Sequence, residues 1–273
     1  MSARTDEFES CIASRISCGD ALPATLPTWM NSIGIIPGAI VNRVTRMGAS
    51  GGKTDILIEF EQGDPIKISA KLACADYFGN WYSHKRIINE FGESTFFKLT
   101  ASCTRWANHW LYSNQASFFI GVSISFGKRS GNTCEEFTSV FDFNDIKTIV
   151  AGHGFGNESA NCLLISDDVP SSLYELIQQL RPVDQQTIMS LSRNFKVIYR
   201  PVNTQTEGTN RGKCTFTQFS PRRRADVLTR VSTLNQLQEL GTFIEVQPNS
   251  LNHNRLAEYL RTEYNLDIAI RRP

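Results

Sequence analysis

Hydrophobic and polar residues alternate most regularly between Ala39 and Leu72. There "AIVNRVTRM" predicts a strand, "GASGGK" a glycine-rich loop, "DILIEF" a second strand, "QGDP" a turn and "IKISAKL" a third strand. A short helix over 6–15 and a proline-marked loop, "DALPATLPTW", precede them. Helices are predicted between "WYSHKRIINEF" and "RWANHWLY", and "SFFIGVSISF" reads as a buried strand. Ser172 and Glu175 have capping-box spacing at the start of "LYELIQQL", and Pro182 ends that helix or starts the next, "VDQQTIMSLS". "FKVIYRPV" and "KCTFTQFSP" read as two strands joined by the polar loop "NTQTEGTNRG". From Ala225 the pattern alternates helix, strand, helix and strand. The expected fold is therefore mixed α/β, a central mixed sheet flanked by helices over 1–220, with a C-terminal αβαβ extension over 221–273.

The hairpin formed by the second and third strands carries an unusual amount of charge. A turn at Gly63-Asp64 sets Asp55 opposite Leu72 or Lys71. Alternation places Ile56, Ile58, Phe60, Ile66, Ile68, Ala70 and Leu72 on one face and Asp55, Glu59, Lys67, Ser69 and Lys71 on the other. One reading is a polar outer face with cross-strand ion pairs worth roughly 0.2–1 kcal/mol each. The other is chemical. Phosphodiester hydrolysis uses a hard divalent cation held by oxygen ligands, and a nearby positive charge that steadies the attacking hydroxide or the pentavalent phosphorane. An aspartate and a lysine on adjacent strand ends supply both.

At these residues the sequence resembles the PD-(D/E)XK nucleases, and among them the MspI-like type II restriction endonucleases that cut four-base sites. The resemblance implies a restriction-endonuclease-like fold, Mg²⁺ as cofactor and double-stranded DNA as substrate. It makes Asp55 the metal-binding aspartate, Ser69 the occupant of the (D/E) position and Lys71 the catalytic lysine of "SAK". Because serine is a weaker magnesium ligand than a carboxylate, the carbonyl of Ala70, Glu59 or a water would complete the shell. "VIYRPVNTQTEGTNRGKCTFTQF" resembles the C-terminal DNA-contacting hairpin of those enzymes, which makes Arg200, Arg211, Lys213 and Gln218 candidates for phosphate or base contacts. The resemblance also implies a cognate DNA methyltransferase, a prokaryotic cytoplasmic setting and a monomer or homodimer.

Charge sharpens this picture although the net value is only +1. From Thr133 to Glu175 there are eight acids and one base, and from Arg193 to Arg230 nine bases and two acids. Such a split suits a protein with one face turned to a polyanion. Arg43, Arg46 and Lys53 flank the glycine-rich loop before Asp55, where backbone can approach a phosphate closely. Lys128, Arg129 and Asn132 follow the buried strand and are candidates to enter a DNA groove. Arg222 and Arg223 in "PRRR" are candidates to grip phosphates. Trp81, Tyr82 and His84 follow the third strand and are either cleft-lining or core. "GHGFGN" lacks the Gly-Lys-Ser/Thr ending of a nucleotide loop and sits among acids, which argues against phosphate binding.

Seven cysteines without a C-x-x-C pair and four histidines without ligand spacing give no zinc signature. The longest apolar run is too short to span a bilayer, and the acidic N-terminus lacks the apolar core of a secretory signal, so no membrane partner is expected. The expectation is a sequence-specific, Mg²⁺-dependent endonuclease of the type II restriction class. Its rivals are a repair or junction nuclease of the same fold and a non-catalytic DNA-binding module.

Overall fold

The computed structural model describes residues 3–47, 52–75, 77–79, 82–129, 131–154, 156–249 and 251–271, without the side chains of 3, 77–79 and 209. The glycine-rich residues 48–51 and Trp81 lie outside the described residues. The chain divides into two compact units, Met1–Ala75 with Asp142–Arg193, and Asp76–Phe141 with Asn194–Pro273. The units interleave along the sequence, so their boundary does not fall at 220/221, and the tail belongs to the second unit.

In the first unit, helix α1 (Ala3–Ser14) is followed by α2 (Thr28–Ser32) and by three strands, β1 (Val41–Arg46), β2 (Ile56–Phe60) and β3 (Ile66–Lys71). Helix α3 (Phe143–Ala151), strand β4 (Cys162–Ile165), helix α4 (Leu173–Gln179), strand β5 (Arg181–Pro182) and helix α5 (Gln185–Ser192) complete it. The strands lie in the order β1-β2-β3-β4-β5. Pairs β1/β2, β2/β3 and β4/β5 are antiparallel, whereas β3/β4 is parallel. Ile56, Ile58, Ile66, Ile68, Ala70, Cys162 and Leu164 face a core to which α1 contributes Phe8 and Ile12 and α4 contributes Leu173, Leu176 and Ile177. The spacing Phe8–Ile12 puts both α1 side chains on one helical face, so α1 forms because burial of that face supplements a weak intrinsic propensity.

The hairpin register differs from the expected one by three residues, with Ile56 opposite Ile68 and Ile58 opposite Ile66. A tight turn at Gly63-Asp64 does not set it. Residues 61–65 form a longer loop pinned to the preceding segment, with Asp64 N–H donating to Gly34 O and Glu61 N–H to Ile40 O. Gly63 has φ +89°, and a Cβ there would lie 3.0 Å from Gly34 O, so glycine fits both the turn and the close approach. The other hairpin face is not a solvated polar surface either: Leu57 and Ser69 are buried on it.

In the second unit, strands Tyr77–Gly79, Val122–Gly127, Lys196–Pro201 and Cys134–Glu136 form one antiparallel sheet in that order. Every residue of Val122–Gly127 is buried. On helix Glu93–Trp110, Trp106 stacks on Tyr199. The expected hairpin of "FKVIYRPV" with "KCTFTQFSP" does not form. Lys196–Pro201 already has a strand on each side, and Thr217–Pro221 pairs with Gly241–Glu245. The tail also departs from αβαβ. Thr229–Val231 is a strand parallel to Leu266–Ile268, and the helix after it begins only at Leu234, capped by Thr233 and Gln236.

Candidate active site

Asp55 lies immediately before β2 and Lys71 ends β3, so the sheet brings the two together from residues sixteen apart in sequence. Lys71 Nζ donates to Asp55 Oδ2 at 3.2 Å and to Ala70 O at 3.0 Å. The same aspartate oxygen accepts the Ala70 N–H at 2.7 Å, and the Asp55 N–H donates to Ile68 O at 2.8 Å. The carboxylate is therefore held by main chain as well as by charge. The side chains of Lys71 and Asp55 are 22% and 12% exposed, so the pair is screened from bulk water without being sealed from it.

The other expected ligands fare differently. Ser69 is fully buried, and its hydroxyl donates to Val150 O in the last turn of α3 at 3.3 Å. That main-chain bond uses the hydroxyl's hydrogen and fixes its orientation toward α3. Glu59 lies four residues along β2 from Asp55, roughly 13 Å away at strand rise. It is paired across the sheet with Arg43, 3.9 Å between charged atoms, and does not complete a shell at Asp55. Ala70 remains at the site through both its N–H and its carbonyl.

A residue that periodicity did not reveal stands beside this pair. Glu9 on α1 is 1% exposed; Arg46 Nε donates to its Oε2 at 3.2 Å, and its Oε1 is buried without a hydrogen-bond partner. Burial first, and then the negative charge of Asp55, push the Glu9 carboxyl above the usual carboxylate range, with Arg46 and Lys71 opposing. Arg46, expected to touch DNA, is instead bound to both Asp6 and Glu9. The only sequence signal for Glu9 was an acid one residue after Phe8 on a helix whose apolar face is buried.

The donor set suits a hard divalent cation. It offers carboxylate and carbonyl oxygens from Asp55, Glu9 and Ala70 with no sulfur or imidazole, and one of those oxygens is orphaned in the interior. Among the described residues no group of three or more His, Cys, Asp or Glu side chains is arranged around a common point. Magnesium requires less, since it is usually held by one or two carboxylates and keeps several waters.

The remaining expected contacts are dispersed. Arg43 is largely exposed. Lys53 N–H donates to Glu158 O at 2.7 Å, which fixes the approach to Asp55 against the loop after α3. In the second unit, Lys128 lies over the Phe195 ring, Arg129 has its carbonyl near the Cys134 thiol and Asn132 donates to Gln115. Arg200 Nε donates to Ser125 Oγ, and Arg211 donates to Gly208 O and Arg271 O. Lys213 O faces the His253 ring and Gln218 is paired across strands with Ile244. Arg222 donates to Glu239 O, while Arg223 is exposed. Tyr82 and His84 are core residues. His84 Nε2 lies 2.7 Å from Thr215 O and its Nδ1 accepts the Asn249 N–H at 3.1 Å, which satisfies one neutral tautomer and excludes a general-base role.

The fold class these observations define is a mixed α/β protein built on a central mixed sheet flanked by helices. Comparison of the chain with protein-family models, curated proteins and solved structures finds no match. Among the described residues no helix is long and apolar enough to cross a membrane.

Proposed function

We propose that the protein is a Mg²⁺-dependent DNA endonuclease of the type II restriction class, with its active centre at Asp55 and Lys71. The observation that carries this reading is the 3.2 Å contact between Lys71 Nζ and Asp55 Oδ2 at the ends of adjacent strands, reinforced by the Ala70 N–H. The sheet supports it further: β1, β2 and β3 run antiparallel and β4 lies parallel to β3, so Asp55 and Lys71 are carried by two neighbouring interior strands rather than by an edge.

In this reading Asp55 and the Ala70 carbonyl hold the cation, which when bound supplies Lewis-acid charge and an acidified water. The Ala70 N–H and the Lys71 ammonium both donate to Asp55 Oδ2 and fix the orientation of its carboxylate. Lys71, on a β-strand rather than a loop, holds its ammonium where negative charge grows on the phosphorane and hydrogen-bonds the attacking oxygen. Core packing of β2 and β3 fixes the backbone that carries both groups before substrate arrives, and a cation on Asp55 and the Ala70 carbonyl would turn the Lys71 ammonium from those oxygens toward the phosphate.

Double-stranded DNA is the proposed substrate. The basic stretch from Arg193 to Arg230 and the exposed Arg43 and Arg223 support binding to its phosphates. A restriction enzyme also requires a companion methyltransferase to protect host DNA. Plasmid DNA incubated with the purified protein is expected to linearise or fragment in Mg²⁺ and to stay intact in EDTA. DNA that is bound but uncut in both conditions would favour the non-catalytic module, to which the absence of an acid at position 69 lends support.

A further inference from the structure

We propose that Glu9 supplies the second metal-binding carboxylate of this site, in place of the acid that position 69 lacks, and that Arg46 is its positioning residue. The inference rests on the nuclease reading and concerns which of this chain's residues complete the shell.

A carboxylate withdrawn from water needs partners for its lone pairs, and leaving one oxygen unsatisfied is costly. Glu9 is 1% exposed, yet only its Oε2 is paired, by Arg46, while Oε1 has no partner. A purely structural ion pair does not call for this arrangement, because Arg46 already has Asp6 as a counter-charge. An oxygen-seeking cation accounts for it directly.

The backbone explains why the group sits at the right end of the sheet. Arg46 ends β1 and is paired with Ile56, the residue after Asp55, and Met47 N–H donates to Asp55 O at 3.0 Å. Whatever Arg46 grips is therefore carried to the Asp55 end of β2. Charge points the same way: Asp6, Glu9 and Asp55 bring three negative charges against two positive ones from Arg46 and Lys71, a net negative cluster that attracts a cation. Ser69, uncharged and with its hydroxyl donating to Val150 O, brings no carboxylate to this part.

The test is Mn²⁺ binding, measured by calorimetry and electron paramagnetic resonance in the absence of DNA, on the wild-type chain and on Glu9→Gln, Asp55→Asn and Arg46→Gln. Wild-type protein is expected to bind Mn²⁺ at a defined site, Glu9→Gln and Asp55→Asn to weaken it at least about tenfold, and Arg46→Gln to weaken it by a smaller factor that disappears in the Glu9→Gln background. Thermal melting in EDTA checks folding. Should Glu9→Gln fail to fold, Glu9→Asp, which keeps the charge and shortens the reach, is expected to show the same loss. Wild-type Mn²⁺ affinity in a folded Glu9 variant, with Asp55→Asn still defective, overturns the assignment and leaves the nuclease reading standing. Absence of Mn²⁺ binding and of DNA cleavage in the wild-type chain overturns both.

Discussion

Asp55 Oδ2 accepts from Lys71 Nζ at 3.2 Å and from the Ala70 N–H at 2.7 Å, so a single oxygen joins the start of β2 to the end of β3. Asp55→Asn keeps the shape of the side chain but removes its charge, and Lys71→Met keeps the stem of the lysine but removes the ammonium. Each is expected to lower cleavage by at least about 100-fold, the scale seen when one electrostatic stabiliser is removed from an active centre. Gel-shift affinity measured with Ca²⁺ should stay within about threefold if the groups act on chemistry rather than on docking.

Ser69 provides the converse case. Because its hydroxyl is buried against Val150 O, Ser69→Ala is expected to cut DNA at a near wild-type rate while losing about 1 kcal/mol of stability in urea unfolding. Ser69→Asp, which restores the letter of the family motif, is expected to destabilise the chain by several kcal/mol, because it buries a charge against a carbonyl oxygen. A Ser69→Asp protein that is stable and more active would show that this side chain does reach the metal.

Arg222 and Arg223 of "PRRR" should separate on DNA. Both are exposed, but Arg222 Nη1 donates to Glu239 O at 2.8 Å and so holds the turn before the tail. Arg223→Ala is expected to weaken binding uniformly across sequences and to reduce the slope of log affinity against log salt by about one. Arg222→Ala should show up chiefly as a lower melting temperature. Equal salt slopes in the wild type and Arg223→Ala would remove Arg223 from the interface.

Acid should destabilise the protein through His253. This ring is fully buried with Nε2 3.0 Å from Gly121 O and Nδ1 3.3 Å from Lys213 O, and burial pushes its pKa down to about 4. The unfolded chain takes up the proton near the ordinary histidine value of about 6.5, so the unfolded state binds more protons between those values and stability falls as pH drops through that window. The loss amounts to on the order of 3 kcal/mol by pH 4. Urea unfolding between pH 7 and 4 should show a slope that His253→Gln flattens.

Periodicity captured the elements whose burial is one-sided. The alternation Ile56-Ile58 and Ile66-Ile68-Ala70 located both strands of the hairpin and with them Asp55 and Lys71. Register was harder, because the loop 61–65 is fixed by Gly34 and Ile40, which lie more than twenty residues upstream. The same locality limit hid the partners of Lys196–Pro201, both of which lie far upstream, and with that strand taken on both sides Thr217–Pro221 pairs instead with Gly241–Glu245. Thr229–Val231 was absorbed into a helix since its neighbours have fair helix propensity, and only pairing with Leu266–Ile268 makes it extended. Glu9 was illegible for a different reason. An acid on a short amphipathic helix reads as solvated surface until the strand carrying Arg46 is laid beside it.

The most direct test is digestion of phage DNA by the purified chain, followed by sequencing of the fragment ends. Discrete fragments that share one short sequence at their ends are expected, formed in Mg²⁺, absent in EDTA and absent with Lys71→Met. DNA left intact in Mg²⁺ at every protein concentration, by a chain that is folded and binds that DNA, would contradict the nuclease reading.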